Sequence, residues 1–572
     1  MANQTSEKIG LALSGGGLRA SFFHIGLLAQ MAEQGVLKSV AVISTVSGGS
    51  IIGALYYLHL KNLLESKSDK DITDQDYIDI IKIIEVEFLE ATEKNIRMNV
   101  LADFQKNYQM RNSNYSRSDR IAELYNEYLY KSVAKSLDTP VEMQTLKIYP
   151  LGGPKDFHPK KHNADRKAIV PILVLNATTL NAGRNWQFTA QTMGEPPSRE
   201  SEDNSKKIYI DKKSIRLRRA TGGYQNMVKE QQDMSLGHAV AASACVPGLF
   251  TPLAVSNLYT DNINNEAIVP QLVDGGVFDN QGIESLIKYK CTYFIVSDAS
   301  GQMGMENEVD TDPFSVLLRV SSVLQDRVRT ESLLHLISTI GEDKIVFLDL
   351  RKGLGQREIS WINERGEPAE DDKVTDPTSQ TFGVNPEVQE KLSLMRTDLD
   401  AFTEVEAYSL MFDAYQMSKN DLAQFTNAKQ RPESSWQFTK IADSMKDPTP
   451  DYLKQLEVAK SVFGKALMVS TWLWIPIIAI FAIIVFYSWG SISQVLTSSI
   501  TLLAIILWLA TIFISKFSKV LSFLKYLRPH ALLAKRLGRA LWLVLGTVFI
   551  IFYLKCINPL YLAQGRMAKL KK

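Results

Sequence analysis

The sequence predicts an α/β body built on a mostly parallel sheet, followed by a hydrophobic helical tail. The chain opens on strand, glycine-rich loop, helix, strand, tight turn and helix, a βαβ order that implies parallel strands with right-handed crossovers. Short apolar or β-branched runs recur at 168–176 and 293–300, as further buried strands should. The last hundred residues change character, with uncharged stretches at 466–489 and 495–515.

Residues 9–13 read as a short buried strand that runs into Ser14, Gly15, Gly16, Gly17, Leu18 and Arg19. Phe22, Phe23, Ile25, Leu27, Leu28 and Met31 then give a mostly apolar helix ending near Gly35. The segment Gly15 to Ala20 fits the dinucleotide fingerprint G-x-G-x-x-A, but that fingerprint also expects an acid about 20 residues on. No Asp or Glu occurs from 35 to 64. A P-loop needs Gly-Lys-Ser/Thr, which the loop lacks. An oxyanion hole of backbone N–H groups explains this loop together with the next one, and is the preferred reading.

The next strand, 40–45, leads through Val46 to Ser47, Gly48, Gly49 and Ser50, and a helical pattern follows from Ile51 to about Leu64. Strand, tight turn and helix is the geometry that lifts a serine side chain above the end of a parallel sheet. A glycine two residues after the serine lets the chain reverse without a Cβ clash, and Gly49 supplies it. The elbow pattern Gly-x-Ser-x-Gly has Thr45 at its first glycine position. Ser47 is a candidate nucleophile.

Residues 65–165 form a polar, helix-rich insertion. Thr73 to Asp76 reads as a helix start, and Ile80, Ile81, Ile84, Phe88 and Leu89 follow at helical spacing. Ile121, Leu124, Tyr125 and Leu129 mark another helix. The insertion is either a packed helical layer or a lid over the serine. Pro171 assigns the strand at 168–176 to an edge or bulge, and 178–189 reads as its hairpin partner. The basic run Lys206, Lys207, Lys212, Lys213, Arg216, Arg218 and Arg219 is solvated or meets lipid phosphates. An apolar helix from His238 stops at Pro247 and Gly248. Asp274 then ends an apolar run and precedes Gly275 and Gly276. A carboxylate at a strand end, on the rim where Ser47 sits, is placed to act as its base; the competing reading is a turn residue or helix cap. Beyond the strand at 293–300 the chain is less informative. It has an acidic loop at 364–373 and a helix at 394–415.

Charge and cysteines narrow the class. The 572-residue chain carries a net charge of +2, spread unevenly. From Ala466 onward there are twelve Lys and Arg and no Asp or Glu, which leaves the body at −10. An acidic body with a basic, apolar tail is no nucleic-acid binder's layout; it fits a body tethered to an anionic membrane surface. Cys245, Cys291 and Cys556 make no disulfide framework, so a reducing compartment is expected for the body. The seven histidines are scattered, and His158 with His162 alone is a weak metal signal. The first eight residues are polar, without an apolar signal core.

These motifs together resemble the patatin-like phospholipase family. The loop Gly15 to Arg19 matches its oxyanion motif, Ser47 to Gly49 its nucleophile elbow apart from Thr45, and Asp274 to Gly276 its Asp-Gly-Gly motif. The segments 176–184 and 242–250 look like family segments too. The resemblance is clear over 8–301 and weaker to about 415. It implies a three-layer α/β/α sandwich and serine acyl hydrolysis of phospholipase A or lysophospholipase type through a Ser–Asp dyad. Ser47 would attack an acyl ester and Asp274 take its proton. Gly15, Gly16, Gly17 and Gly48, supported by Arg19, would form the oxyanion hole, and no metal or other cofactor would be required. His335 is the alternative partner if a Ser-His-Asp triad operates instead. Acyl transfer by the same dyad, and a membrane-tethered lipid-binding scaffold without activity, are the competing functions. The implied layout is a catalytic domain over 1–420, a connecting segment over 421–465 and a membrane region over 466–572. Its partners would be membrane phospholipids or other acyl lipids.

The tail is expected to enter the membrane. The uncharged stretches at 466–489 and 495–515 would reach roughly 36 and 31 Å as helices, enough for a hydrocarbon core of about 30 Å. Joined by the short link 490–494, they should form a hairpin. Lys460 and Lys465 before it and the basic stretch 516–539 after it place both flanks, and the body, on the cytoplasmic side of a cell inner membrane by the positive-inside rule. Residues 540–554 reach only about 22 Å and read as a re-entrant or interfacial helix rather than a third span.

Overall fold

The computed structural model describes residues 7–570 except 112–114, 137, 198–215, 262, 302, 356–358, 360, 367–379, 427–433, 463 and 471–542. Its eleven described strands are β1 (Ile9–Leu13), β2 (Val40–Val46), β3 (Ile172–Thr179), β4 (Arg184–Phe188), β5 (Met193–Gly194), β6 (Leu253–Ala254), β7 (Tyr259–Thr260), β8 (Ala267–Ile268), β9 (Gln271–Asp274), β10 (Tyr293–Asp298) and β11 (Ile345–Asp349). All but β7 and β8, which pair with each other, join one sheet, seven of them in the order β11-β10-β1-β2-β3-β4-β5, with β9 paired to β3 and β6 paired to β9. The strands from β11 to β3 are parallel. The pairings of β3 with β4 and with β9 are antiparallel.

Period-two alternation divides the strand side chains between two apolar cores. Leu11, Leu13, Ile43, Leu173, Leu175 and Ile295 face the larger one. Ala12, Val42, Val174, Phe294 and Val296 face the other, which is closed by Ile283, Leu286 and Leu336. Helices α1 (Gly17–Glu33), α2 (Gly48–Ser66) and α3 (Asp74–Glu93) contribute to the larger core. Helices therefore flank a mostly parallel sheet on both faces, the fold class expected. The start of α3 is a capping box in which Thr73 and Asp76 exchange hydrogen bonds, the signal read at Thr73 to Asp76.

Several expectations change. Pro171 precedes β3, which pairs on both sides, so the strand is central and not an edge. The helix expected over 394–415 is Glu404–Thr426. It begins there because Thr403 and Glu406 form a reciprocal cap, Thr403 N donating to Glu406 Oε2 (2.7 Å) and Glu406 N to Thr403 Oγ1 (3.2 Å). The expected boundary at 420 falls inside that helix, and 421–465 is no mere connector, since Trp436, Phe438, Ile441, Met445, Tyr452 and Leu456 are buried in the main core. A 28-residue helix, Pro313–Ile340, carries no expectation at all. Val316, Leu317, Leu318, Val320, Val323 and Leu324 leave no single apolar stripe to read, and all are exposed.

The hairpin expected over 466–515 and the basic stretch 516–539 lie outside the described residues apart from 466–470. The described residues that flank 471–542 are anchored to the body. Arg396 pairs with Asp400 and Glu406, and Lys465 with Asp400, all buried. Tyr561 donates to Glu406 at 2.8 Å. Burial alone would raise Glu406, but Arg396 and Lys465 hold its carboxyl below the usual range. Lys465 is thus consumed by an ion cluster and is not a free flanking charge of the kind the positive-inside rule counts. The third apolar stretch also differs in extent. It is a 22-residue helix, Leu543–Gln564, long and apolar enough by length and composition to cross a membrane.

Candidate active site

The edge of β3 brings the two candidate residues together. β2 runs parallel to β3 and ends with Val46 opposite Asn176. At the next position the edge passes to β9, which runs the other way and ends with Asp274 opposite Ala177. Two strand ends meet head-on, and Ser47 faces Asp274. The Asp274 carboxylate accepts the Gly276 N–H at 2.7 Å, and the Ser47 hydroxyl stands beside it as the second donor that lowers its pKa. Burial pushes the Asp274 carboxyl up to about 6, moderated by those two donors.

Ser47 has φ 50° and ψ −118°, a conformation that costs a side-chain-bearing residue on the order of 1–3 kcal/mol. Hydroxyls beneath it hold the turn. Ser47 N donates to Ser243 Oγ (3.0 Å), and Ser243 Oγ donates to Asn176 O (2.6 Å). With the Ser243 proton so used, Ser50 donates to Ser243 (2.8 Å), and the Ser50 oxygen lies 2.9 Å from Thr45 Oγ1, which also donates to Val174 O at 3.3 Å. Asn176 Nδ2 ties the same layer to Ser44 Oγ and Thr45 O, both at 3.0 Å.

Thr45 fits under the elbow because Gly53 makes room. A Cβ on Gly53 would lie 2.6 Å from Thr45 Cγ2, so space that a glycine at 45 would leave is recovered one helical turn into α2. Gly53→Ala is therefore expected to destabilise the protein by about 1–3 kcal/mol through overpacking. The double variant Thr45→Gly with Gly53→Ala should recover most of it, as read by thermal unfolding.

The glycine loop lies against the elbow. A Cβ on Gly15 would sit 3.1 Å from Ser47 Cβ, and one on Gly48 only 2.0 Å from Gly17 O. Only glycine permits that approach of the two helix starts. Gly16, at φ 139°, is the residue before α1, while Gly17 and Gly48 are the first residues of α1 and α2. Amides at such positions have no intrahelical acceptor, and the dipoles of both helices favour negative charge there. Gly15 departs from the expected set because its N–H is spent on Asn280 O at 3.0 Å. Arg19 departs too. Its guanidinium is buried and donates to the carbonyls of Ala299 (2.9 Å), Met395 (2.7 Å) and Ser393 (3.2 Å), bracing the loop from behind. Burial lowers it to about 10, so it stays charged at neutral pH.

His24 supports the same loop. Its Nε2 lies 3.0 Å from Ser14 O, which can only accept, so Nε2 carries the proton and Nδ1 accepts from Ser297 Oγ at 2.8 Å. Burial lowers His24 to about 4, and it is neutral at physiological pH. His335 is exposed on Pro313–Ile340. No histidine is among the described residues lining the Ser47 cavity.

That cavity holds about 620 Å³. Ser47 and Gly17 lie in its wall, and Met98, Leu101, Val246, Phe250 and Ile550 make it mainly apolar. Arg97 also lines it and is paired with Asp398. The insertion thus contributes to the cavity wall, and so does the helix Leu543–Gln564 through Ile550. Sequence reading did not find Ser243, Gly53, Arg97, Leu101 or Ile550. Ser243 lay within a segment already marked by its resemblance, and the Thr45–Gly53 spacing of eight places both residues at the elbow; the others had no local signal.

Residues 11–287 match the family model described as Patatin-like phospholipase. No curated protein sequence matches the chain. Among solved structures it is similar to human GIVD cytosolic phospholipase A2 in complex with methyl gamma-linolenyl fluorophosphonate. The identity is 15%, the coverage 74% of this chain and 58% of that one, and the TM-score 0.35. The chain thus spans less than two thirds of that enzyme's length. It is also similar to VipD from Legionella pneumophila, at 14% identity, 77% and 71% coverage and a TM-score of 0.27.

Proposed function

We propose, on the premise that residues 11–287 form a patatin-like phospholipase domain and hence a lipid ester hydrolase, that Ser47 and Asp274 are its catalytic dyad and fatty acyl esters of membrane lipids its substrates. The observation that carries this reading is that the ends of β2 and β9 set Ser47 against the buried Asp274 carboxylate at the wall of a mainly apolar cavity. Ser47 Oγ attacks the ester carbonyl carbon while its proton passes to Asp274. The tetrahedral oxyanion is met by the amides of Gly16, Gly17 and Gly48, donors held in place before charge develops. The carbon–oxygen bond to the alcohol breaks, and that oxygen takes the proton from Asp274. Water then attacks the acyl-enzyme with Asp274 again as base, releasing a fatty acid and restoring the dyad.

The reaction takes place at a lipid surface. The helix Leu543–Gln564, which contributes Ile550 to the cavity wall, exposes Leu545, Val548, Phe549 and Phe552. Its far end is held by the body, with Asn558 donating to Glu93 O at 3.0 Å and Tyr561 to Glu406. A spanning helix would draw these polar partners into hydrocarbon at high cost, so an interfacial position is favoured. The body then faces the inner leaflet from the cytoplasm, a side that rests on the basic residues of the tail.

An alkyl fluorophosphonate, which phosphonylates activated serines, tests the assignment. Mass spectrometry is expected to find the adduct on Ser47, with free fatty acid the product from lipid vesicles. Adduct on another serine would overturn the dyad, and acyl chains recovered on an acceptor lipid would make the protein a transferase.

A further inference from the structure

Beside the Ser47 cavity lies a second recess of about 600 Å³, between the helix Arg117–Tyr125, its preceding loop and the helix Leu543–Gln564. The two share Leu101, Arg117 and Ile550 as a common wall. Their linings differ in character. The first is mainly apolar. The second adds polar side chains, among them Asn107, Ser116, Thr251 and Thr547, and no Asp or Glu is among its described lining residues.

Among the described residues, three charged side chains line the two compartments, Arg97, Asp398 and Arg117. Arg97 and Asp398 neutralise each other. Arg117 has no ion pair or side-chain hydrogen bond among the described residues, and it stands where the apolar and polar compartments meet. A guanidinium presents a planar fork that matches phosphate oxygens. An acyl ester whose chain fills the first cavity would hold its glycerol headgroup at that junction.

We propose that the recess binds the phosphodiester of a glycerophospholipid, with Arg117 as its counter-ion, while the acyl chain to be cleaved occupies the Ser47 cavity. This rests on the lipid-binding half of the function proposed above. It selects phosphate-bearing lipids over neutral acylglycerols, and it makes the C-terminal helix, through Ile550, part of the substrate site rather than only a membrane attachment.

The test is calorimetric binding to the full chain carrying Ser47→Ala, in a non-ionic detergent, so that no ligand is consumed. The ligands are dihexanoylphosphatidylcholine, dihexanoylglycerol, hexanoate and inorganic phosphate. The phospholipid is expected to bind about tenfold tighter than the diacylglycerol, the scale of one charge-assisted hydrogen bond. Arg117→Gln should erase that difference while diacylglycerol affinity holds, and Arg117→Lys should keep part of it. Equal weakening of both lipids by Arg117→Gln would make the residue a wall element and overturn the proposal. So would hexanoate or inorganic phosphate binding as tightly as the phospholipid, since the site would then take a free carboxylate or free phosphate. Turnover of a short-chain p-nitrophenyl ester by the unsubstituted protein reads the hydrolase assignment separately. Its absence with phospholipid discrimination intact would remove the chemistry and support the headgroup site.

Discussion

Replacing Ser47 by alanine is expected to abolish ester hydrolysis, with a loss of about 10⁴-fold or more in kcat, and to leave the fold intact. The substitution removes one oxygen that faces the cavity. The hydrogen bonds that shape the elbow run through the Ser47 backbone N–H, Ser243 and Ser50, and none of them depends on Ser47 Oγ. Alanine also meets the positive φ at no greater cost than serine, because both carry a Cβ. Turnover of a p-nitrophenyl ester beside a thermal unfolding curve checks both halves. Near-normal turnover would remove Ser47 as nucleophile. The neighbouring serines are poor substitutes, since Ser44 Oγ donates to Gly282 O, Ser50 lies in the buried hydroxyl chain, and neither is in the cavity lining.

Asp274→Asn is expected to be nearly as damaging, because asparagine keeps the size and the Gly276 contact but cannot take a proton. The pH dependence follows from the shifted carboxyl. Burial raises Asp274 to about 6, so below that pH it is protonated and cannot act as a base. The kcat/KM of the unsubstituted protein should therefore fall about tenfold per pH unit below about 6 and level off above it. The same shift has a consequence for stability. Folding raises the pKa, so the protonated form is the one the fold prefers, and the ionised carboxylate is destabilising above about 6. Asp274→Asn should then be at least as stable as the parent at pH 7–8, an active-site group traded against stability. An acid limb that survives in Asp274→Asn would assign the titration to another group. A strong effect of His335→Ala with little effect of Asp274→Asn would replace the dyad by a triad.

Local patterns carried much of the organisation. The strand, glycine loop and helix at 9–33, the elbow at Ser47, the helix cap at Thr73 and the apolar run ending at Asp274 are all set by neighbours within a turn or two. Their chemistry is short-ranged: Cβ clashes, caps and side-chain periodicity. The exposed helix Pro313–Ile340 was not legible because its apolar residues mark no single stripe. The Thr403 and Glu406 pair marks the start of Glu404–Thr426, and in the stretch before it Arg396 makes buried tertiary bonds and no helix.

By itself, then, the sequence determined the βαβ opening, the glycine-rich amides beside a serine turn, a carboxylate at a strand end, and the separation of an acidic body from a basic apolar tail. The tertiary structure decided what those parts do to one another. The head-on meeting of β2 and β9 on the edge of β3 joins residues more than two hundred positions apart, and no local period encodes such a register. Arg19 turns from the oxyanion to the carbonyls of Ala299, Ser393 and Met395 because a buried guanidinium must satisfy its donors wherever acceptors stand. Thr45 is tolerated because Gly53 lies beneath it, and the tail's last helix becomes a wall of the cavity because Asn558 and Tyr561 find their partners on the body. In each case the outcome is set by which distant surfaces come into van der Waals and hydrogen-bonding range, and only the folded chain fixes that.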